Sequence, residues 1–524
     1  MPPHRKWTRR AILAATAACF VTDTSAASRD TVARTQYGRV RGWRRDGVLC
    51  FLGVRYGRDT RLARFQAPKP PEPWRGVREA RAYGPASPQR GGGDTNQSED
   101  CLFLNVWTPA LDAGRRTVMV YIHGGAYSSG SAAGPLLDGA RLCRRGDVVV
   151  VTLNHRLGPF GYAYLARLGD ERFADSGNAG QLDLILALEW VRDNIGNFGG
   201  DPGSVMVFGQ SGGGAKIATL MAMPRANGLF HRAATMSGQQ ITASGPLNAT
   251  RRAQALLRQM ELTSADMSRL LVVPPALLLE ASAITDPVLD YGSLYFGPVL
   301  DGRNLLRHPF YPDAAPQSLG IPMMLGNTHD ETRGFVGADR SLFDLRWEDL
   351  PGRLADAMRV DISPELVVRR YRELYPTSTP SEVYFAATTA SRSWRGQIIE
   401  AEERAKAGAP AYVYQLDWRA PAEGGLFGAP HTLDIPLVFG NLEASPYIGQ
   451  RTGEAELVSA KMMDAFIAFA KTGDPNGGVL PPWPRYALPA RDTMIFDVAP
   501  RVERDPRKAE RELFAVAPYV QPGT

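Results

Sequence analysis

A serine becomes a nucleophile where its hydroxyl stands clear of the chain and an imidazole can take its proton. The segment Phe208-Gly209-Gln210-Ser211-Gly212-Gly213-Gly214 offers the first of these conditions. An apolar run, Val205 to Phe208, feeds into a G-x-S-x-G turn and then into a helix-compatible stretch, which is the order of a nucleophile elbow. Glycines on either side of Ser211 let two chain segments pass close to a strained turn, so the hydroxyl projects above a strand end. About 0.3 matches to this pattern are expected by chance in a chain of this composition, so the partners carry the argument.

A triad of this kind runs Ser, acid, His along the chain. The seven histidines are His4, His123, His155, His231, His308, His329 and His431, and only the last four follow Ser211. His231 lies about one helix length beyond the elbow, where a helix-end or surface role fits it better. His431 ends the loop Gly424-Gly425-Leu426-Phe427-Gly428-Ala429-Pro430-His431, which follows the strand-like Ala411 to Leu416. Loops after strands carry catalytic groups. The acid belongs in Pro322-Met323-Met324-Leu325-Gly326-Asn327-Thr328-His329-Asp330-Glu331, a short buried strand running into a polar turn. Spacing leaves both Asp330 and Glu331 open, and an Asp-Glu pair that only caps a helix is the alternative.

Further blocks in fixed order make the chain resemble a type-B carboxylesterase of the cholinesterase-like group, in the α/β-hydrolase superfamily, along most of its length. They are Ser98-Glu99-Asp100-Cys101-Leu102-Phe103-Leu104-Asn105-Val106-Trp107, Tyr121-Ile122-His123-Gly124-Gly125-Ala126-Tyr127, Val151-Thr152-Leu153-Asn154-His155-Arg156-Leu157-Gly158-Pro159, Gly177-Asn178-Ala179-Gly180-Gln181-Leu182-Asp183 and Asn197-Phe198-Gly199-Gly200-Asp201-Pro202, with the elbow, Asp330-Glu331 and His431 to Gly440. The resemblance implies Ser211 as nucleophile, Glu331 rather than Asp330 as acid and His431 as base. It implies an oxyanion hole from the backbone amides of Gly125, Ala126 and Gly212, and places Ser237 near the acid. His123 is expected to anchor the oxyanion loop, and Asp201 and Asp434 to be structural.

Departures from the family pattern set further expectations. Gln210-Ser211-Gly212 stands where most members have Glu-Ser-Ala, which removes a charge beside the nucleophile but no donor. Ala126 replaces the third glycine of the oxyanion loop, and its methyl disfavours bulky tertiary-alcohol esters. Ser87 holds the position where the family often pairs a cysteine with that of Ser98 to Trp107, so that disulfide is absent. The loop from Arg90 to Asp100 has no aromatic residue, so the tryptophan on which cholinesterases bind quaternary ammonium is missing.

The elements that must position these groups alternate between apolar strands, at Thr117 to Ile122, Val148 to Leu153 and Val205 to Phe208, and helices such as an amphipathic Leu182 to Ile195. This α/β pattern, with the resemblance, predicts an α/β-hydrolase fold: a central, mostly parallel twisted sheet flanked by helices, with helical insertions walling the active-site entrance. Thr250 to Asp290 is assigned to that wall. Met462, Ala465, Phe466, Phe469 and Ala470 form a helix face stopped by Gly473 and Pro475, expected to pack on the sheet. A chain of 524 residues with 44% hydrophobic content can bury a large core; residues 28–524 are read as a single domain.

Residues 1–27 read as a twin-arginine signal: Arg5, Lys6, Arg9 and Arg10 precede an apolar Ala11 to Val21 too short to span a bilayer. Cleavage after Ala26 or Ala27 gives an exported, periplasmic or secreted protein of bacterial type without a stable membrane anchor. With Asp23 also removed, the net charge drops from +6 to +3. There is no dense basic run with interleaved aromatics, so no nucleic-acid partner is expected. Cys50, Cys101 and Cys143 remain, an odd number. No Cys/His cluster has zinc-like spacing and no dinucleotide or phosphate-loop fingerprint is present, so neither metal nor cofactor is inferred. The expected chemistry is acyl transfer from a small-molecule carboxylic ester through an acyl-enzyme. An amidase, lactonase or thioesterase would use the same residues. A binding-only member of the fold would lose triad residues, and all three matched positions are kept here.

Overall fold

The structure, a computed structural model, describes residues 31–91, 96–521 and 523; the segment 1–27 read as a signal lies outside the described residues. Eleven strands form the main sheet: β1 (Trp43–Arg45), β2 (Val48–Arg55), β3 (Phe103–Thr108), β4 (Arg116–Ile122), β5 (Val149–Leu153), β6 (Gly200–Gln210), β7 (Arg232–Met236), β8 (Met323–Thr328), β9 (Ala411–Leu416), β10 (Asp492–Phe496) and β11 (Arg501–Arg504). Their order is β1-β2-β3-β5-β4-β6-β7-β8-β9-β10-β11. Every pairing from β5 across to β10 is parallel, and the strands at both edges pair antiparallel. The mostly parallel sheet expected of an α/β-hydrolase is therefore present.

Alternation along a strand sends successive side chains to opposite faces, and here each face feeds its own core. Val118, Val120 and Ile122 of β4 pack with Leu184, Leu188 and Val191 on one side, while Met119 and Tyr121 pack with Met462, Phe466 and Phe469 on the other. Both faces being covered, these strands read as continuous apolar runs. The helix Gly453–Thr472 supplies the second face; Thr452 caps its start, accepting from Ala455 N, and Gly473 ends it at φ 80°, as the sequence predicts.

Two expectations need correction. The helix predicted over 182–195 spans Ala179–Asn194 and is buried on nearly every side rather than amphipathic, because its polar residues face inward to partners. Asp183 is fully buried and binds Arg156 through Nε at 2.8 Å and Nη2 at 2.6 Å. The helices of 250–290, expected to wall the entrance, instead spend their apolar faces on a separate core: Leu256, Met267 and Leu278 pack with Phe160, Tyr162 and Tyr127. Arg64 ties them to the body, donating to Leu270 O and Val273 O while bound to Glu99. The entrance is walled by the helical segment 331–406, which has its own core around Leu354, Tyr371 and Phe385. Among the described residues no helix is long and apolar enough to cross a membrane.

Candidate active site

Ser211 sits between the last residue of β6, Gln210, and the helix Gly212–Leu220, at φ 57° and ψ −125°. A left-handed φ on a non-glycine residue costs about 1–3 kcal/mol and persists only where its surroundings enforce it. Here Ser211 N donates to Met236 O of the neighbouring strand at 2.7 Å, and Ser211 O accepts from Ala215 N at 3.1 Å. The motif's flanking glycines are required by close approach: a Cβ on Gly209 would lie 2.6 Å from Ile122 O, and one on Gly213 2.0 Å from the same atom. Ser211 opens on a cavity of ≈ 240 Å³ that it shares with Ala126, Gly212, Tyr127, Phe335 and Arg392.

Glu331 begins the short helix after β8 and is fully buried. Its Oε1 accepts from Thr328 N at 2.8 Å and Asn327 Nδ2 at 3.0 Å, and its Oε2 is hydrogen-bonded to His431 Nδ1. Burial alone would raise this carboxyl, but the His431 contact and these donors outweigh it and lower its pKa. Ser237 is buried at φ 51° and faces the same carboxylate without completing a hydrogen bond of good geometry. Asp330 turns elsewhere: its N donates to Ala429 O and its Oδ2 accepts from Ala429 N, at 2.9 and 3.0 Å, pinning the loop that ends in His431. Burial raises Asp330, but His329, Ala429 N and Arg333 bring it down to about 2.

Phe335 stacks on the His431 ring at 4.0 Å. The Gln210 amide nitrogen lies 3.1 Å from His431 Nε2 and 3.3 Å from Nδ1. Among the described residues no hydrogen bond joins Ser211 Oγ to His431, so the elbow meets the imidazole through Gln210. Such contacts commonly tighten only when substrate binds.

The oxyanion-loop residues Gly125 and Ala126 have φ of 82° and 51°. Among the described residues their amides donate to no protein acceptor, while Gly125 O accepts from Ser128 N and Ser129 N. His123 is buried, its Nδ1 donates to Gly124 O at 2.9 Å, and it stacks on His155 at 4.6 Å. Burial, then the nearby Lys216 charge, pulls it down to about 3, so it is neutral and fits an anchor. His231 and Asp201 make structural contacts along the first half of β6, with Val205 and with Arg115 and Gly203 respectively. Asp434 is buried; Tyr414 donates to it, and burial followed by the Glu331 charge raises it to about 7.

Sequence reasoning missed Lys216. It is fully buried on the helix after Ser211, and its Nζ donates to Ala126 O at 2.7 Å and His123 O at 3.1 Å. It thus holds the 123–126 loop by two of its carbonyls. The available signal was a lone lysine in the apolar run Gly212 to Leu220.

The sequence profile of the carboxylesterase family matches residues 29–514. The chain is 36% identical over 496 residues to the para-nitrobenzyl esterase of Bacillus subtilis (strain 168), which spans 92% of this chain and 98% of that relative. It is 34% identical over 508 residues to the phenmedipham hydrolase of Pseudarthrobacter oxydans, with coverages of 90% and 97%. Among solved structures, the carboxylesterase EST55 of Geobacillus stearothermophilus aligns with a TM-score of 0.82 at 36% identity, over 92% of this chain and 100% of that one.

Proposed function

The chain belongs to the carboxylesterase family and is a hydrolase of carboxylic esters, and from that premise we propose that Ser211, His431 and Glu331 are its catalytic triad. His431 takes the Ser211 proton as the oxygen attacks the ester carbonyl, then protonates the leaving alcohol. Water activated by the same imidazole hydrolyses the acyl-enzyme. Glu331 fixes the tautomer that leaves Nε2 as the acceptor and stabilises the imidazolium. The amides of Gly125, Ala126 and Gly212 receive the oxyanion, each worth on the order of 3 kcal/mol where water is excluded. The observation that carries this reading is the buried Glu331–His431 pair beside the strained elbow serine, under amides with no other acceptor.

The test is hydrolysis of p-nitrophenyl esters of graded chain length, and of p-nitrobenzyl esters because a relative bears that name. Ser211→Ala is expected to lower kcat by about three orders of magnitude or more with the fold intact. Equal turnover by both proteins would sink the reading.

We also infer that residues 1–27 are a cleaved twin-arginine signal ahead of one catalytic domain, 28–524. N-terminal sequencing of exported protein should begin after Ala26 or Ala27, and replacing Arg9 and Arg10 by lysine should leave uncleaved chain inside the cell.

A further inference from the structure

We propose that Arg359 and Arg392 form an anion site inside the active-site cavity, and that the preferred substrates are carboxylic esters bearing a second, free carboxylate, such as half-esters of short dicarboxylic acids. This rests on the reading of Ser211 as nucleophile.

Both arginines line the cavity on which Ser211 opens, and no Asp or Glu lines it. Arg392 is carried by Ala390–Trp394, a five-residue π-helical turn between the helices Pro380–Thr389 and Arg395–Lys406. Such turns push a residue out of the regular helix and recur at functional sites. Arg359 follows the helix Leu350–Ala357. The Arg392 guanidinium lies 4.7 Å over the Phe335 ring, whose other contact is the His431 imidazole at 4.0 Å. One aromatic ring therefore separates the cation from the proposed base.

What distinguishes this pair is the want of a partner. Arg64, Arg156, Arg252 and Arg507, whose side chains are almost wholly buried, each meet a carboxylate at 2.6 Å or less, whereas Arg359 and Arg392 are half-buried. Among the described residues Arg359 and Arg392 have neither an ion pair nor a hydrogen bond. On their outer side Arg359 and Arg392 also line a neighbouring cavity of ≈ 930 Å³ with Arg353, Asp339 and Asp356; neither acid is within ion-pair distance of them, and Asp339 accepts from Ser341.

The other groups facing the pair are neutral donors. Burial raises the Tyr519 phenol to about 12, so it stays protonated, and Tyr291 faces Arg392 from the outer side. Burial, and then the Arg359 charge, lowers Arg392 to about 10, which leaves it cationic at neutral pH. Two like charges thus face the inner cavity, which no carboxylate lines, while Asp339 and Asp356 stand only on their outer side. A carboxylate held in the guanidinium fork relieves that repulsion. The ≈ 240 Å³ of the inner cavity suits a short spacer between that carboxylate and the ester carbonyl.

Ethyl hexanoate and monoethyl adipate differ only in a terminal methyl replaced by carboxylate, and their kcat/KM ratio reads the site directly. We expect about a tenfold preference for monoethyl adipate in the native enzyme, diminished at molar salt, and competitive inhibition by adipate against p-nitrophenyl butyrate. Arg392→Met and Arg359→Met should each lower the ratio about tenfold, and Arg392→Lys should restore part of it, because lysine keeps the charge and loses the fork. A native preference for ethyl hexanoate, a ratio indifferent to both substitutions, or no inhibition by adipate overturns the proposal. Should Arg392→Met fail to fold, the salt and inhibition measurements on the native enzyme still decide it. Ser211→Ala run on both esters separates the two readings: turnover that survives in it removes the nucleophile assignment, whatever the ratio.

Discussion

At the scale of single residues, Ser211 was legible from its G-x-S-x-G turn and His431 because histidine is scarce and the order is fixed, whereas Lys216 was not, because its role depends on where two distant carbonyls end up. That role has a measurable cost. Burial lowers Lys216 from 10.5 to about 7 in the native state, so between those values the unfolded chain binds more protons and native stability rises with pH. Lys216→Met removes the buried charge and the strut together. It should melt at higher temperature than the parent at pH 7, with the gap closing as pH approaches 10, while kcat falls about tenfold as the oxyanion loop loosens. Calorimetry at both pH values, paired with kinetics, checks this; a Met variant that melts lower at pH 7 would show the strut outweighing the charge. Gln210, against the imidazole at 3.1 Å, gives a second expectation. Gln210→Glu places a carboxylate beside His431 and favours the imidazolium, so the acidic limb of kcat/KM against pH should move up by about one unit. A limb that stays in place would mean the residue-210 side chain does not face the working imidazole.

At the scale of elements, the strands could be read from apolar runs, with limits wrong by a residue or two at β4 and β5, while β6 extends upstream to Gly200, where it pairs with Arg116 across a bulge. What the sequence could not give was the destination of each helical face. The 250–290 and the 331–406 segments both carry apolar residues at helical spacings, and only tertiary packing assigns the cavity wall to the second set. The Ala179–Asn194 helix was misread for the same reason: its Gln181 and Asp183 look like a solvent face, yet both are buried. Asp183 is the element's main tie to the Asn154–Pro159 turn, through Arg156 N, Nε and Nη2. Asp183→Asn leaves a buried guanidinium uncompensated, which costs about 3–5 kcal/mol. Denaturant unfolding should show the midpoint falling with the slope unchanged; an unaltered midpoint would mean that water or rearrangement satisfies Arg156.

At the scale of the whole molecule, the fold is held without covalent cross-links among the described residues: Cys50, Cys101 and Cys143 are buried and free. Ser87, standing where the resemblance would seat a partner for Cys101, faces that thiol and accepts from Leu157 N at 3.1 Å, so the position is used by the hydrogen-bond network instead. Burial pushes the Cys50 thiol up to about 11 and the other two further, and only a thiolate attacks a disulfide reagent. Stability then rests on the two cores that sandwich the sheet and on buried ion pairs, none of which senses redox state. Cys50, Cys101 and Cys143 should therefore not react fast with an aromatic disulfide in native buffer and should all react in guanidinium, and the melting temperature should be the same with and without dithiothreitol. A melting temperature lowered by reductant would reveal a bridge between chains, since no two of the three cysteines are joined within one. Fast reactivity that appears after mild heating, ahead of the main transition, would instead locate a local opening near β2 or the Ala140–Gly146 helix, where Cys50 and Cys143 sit.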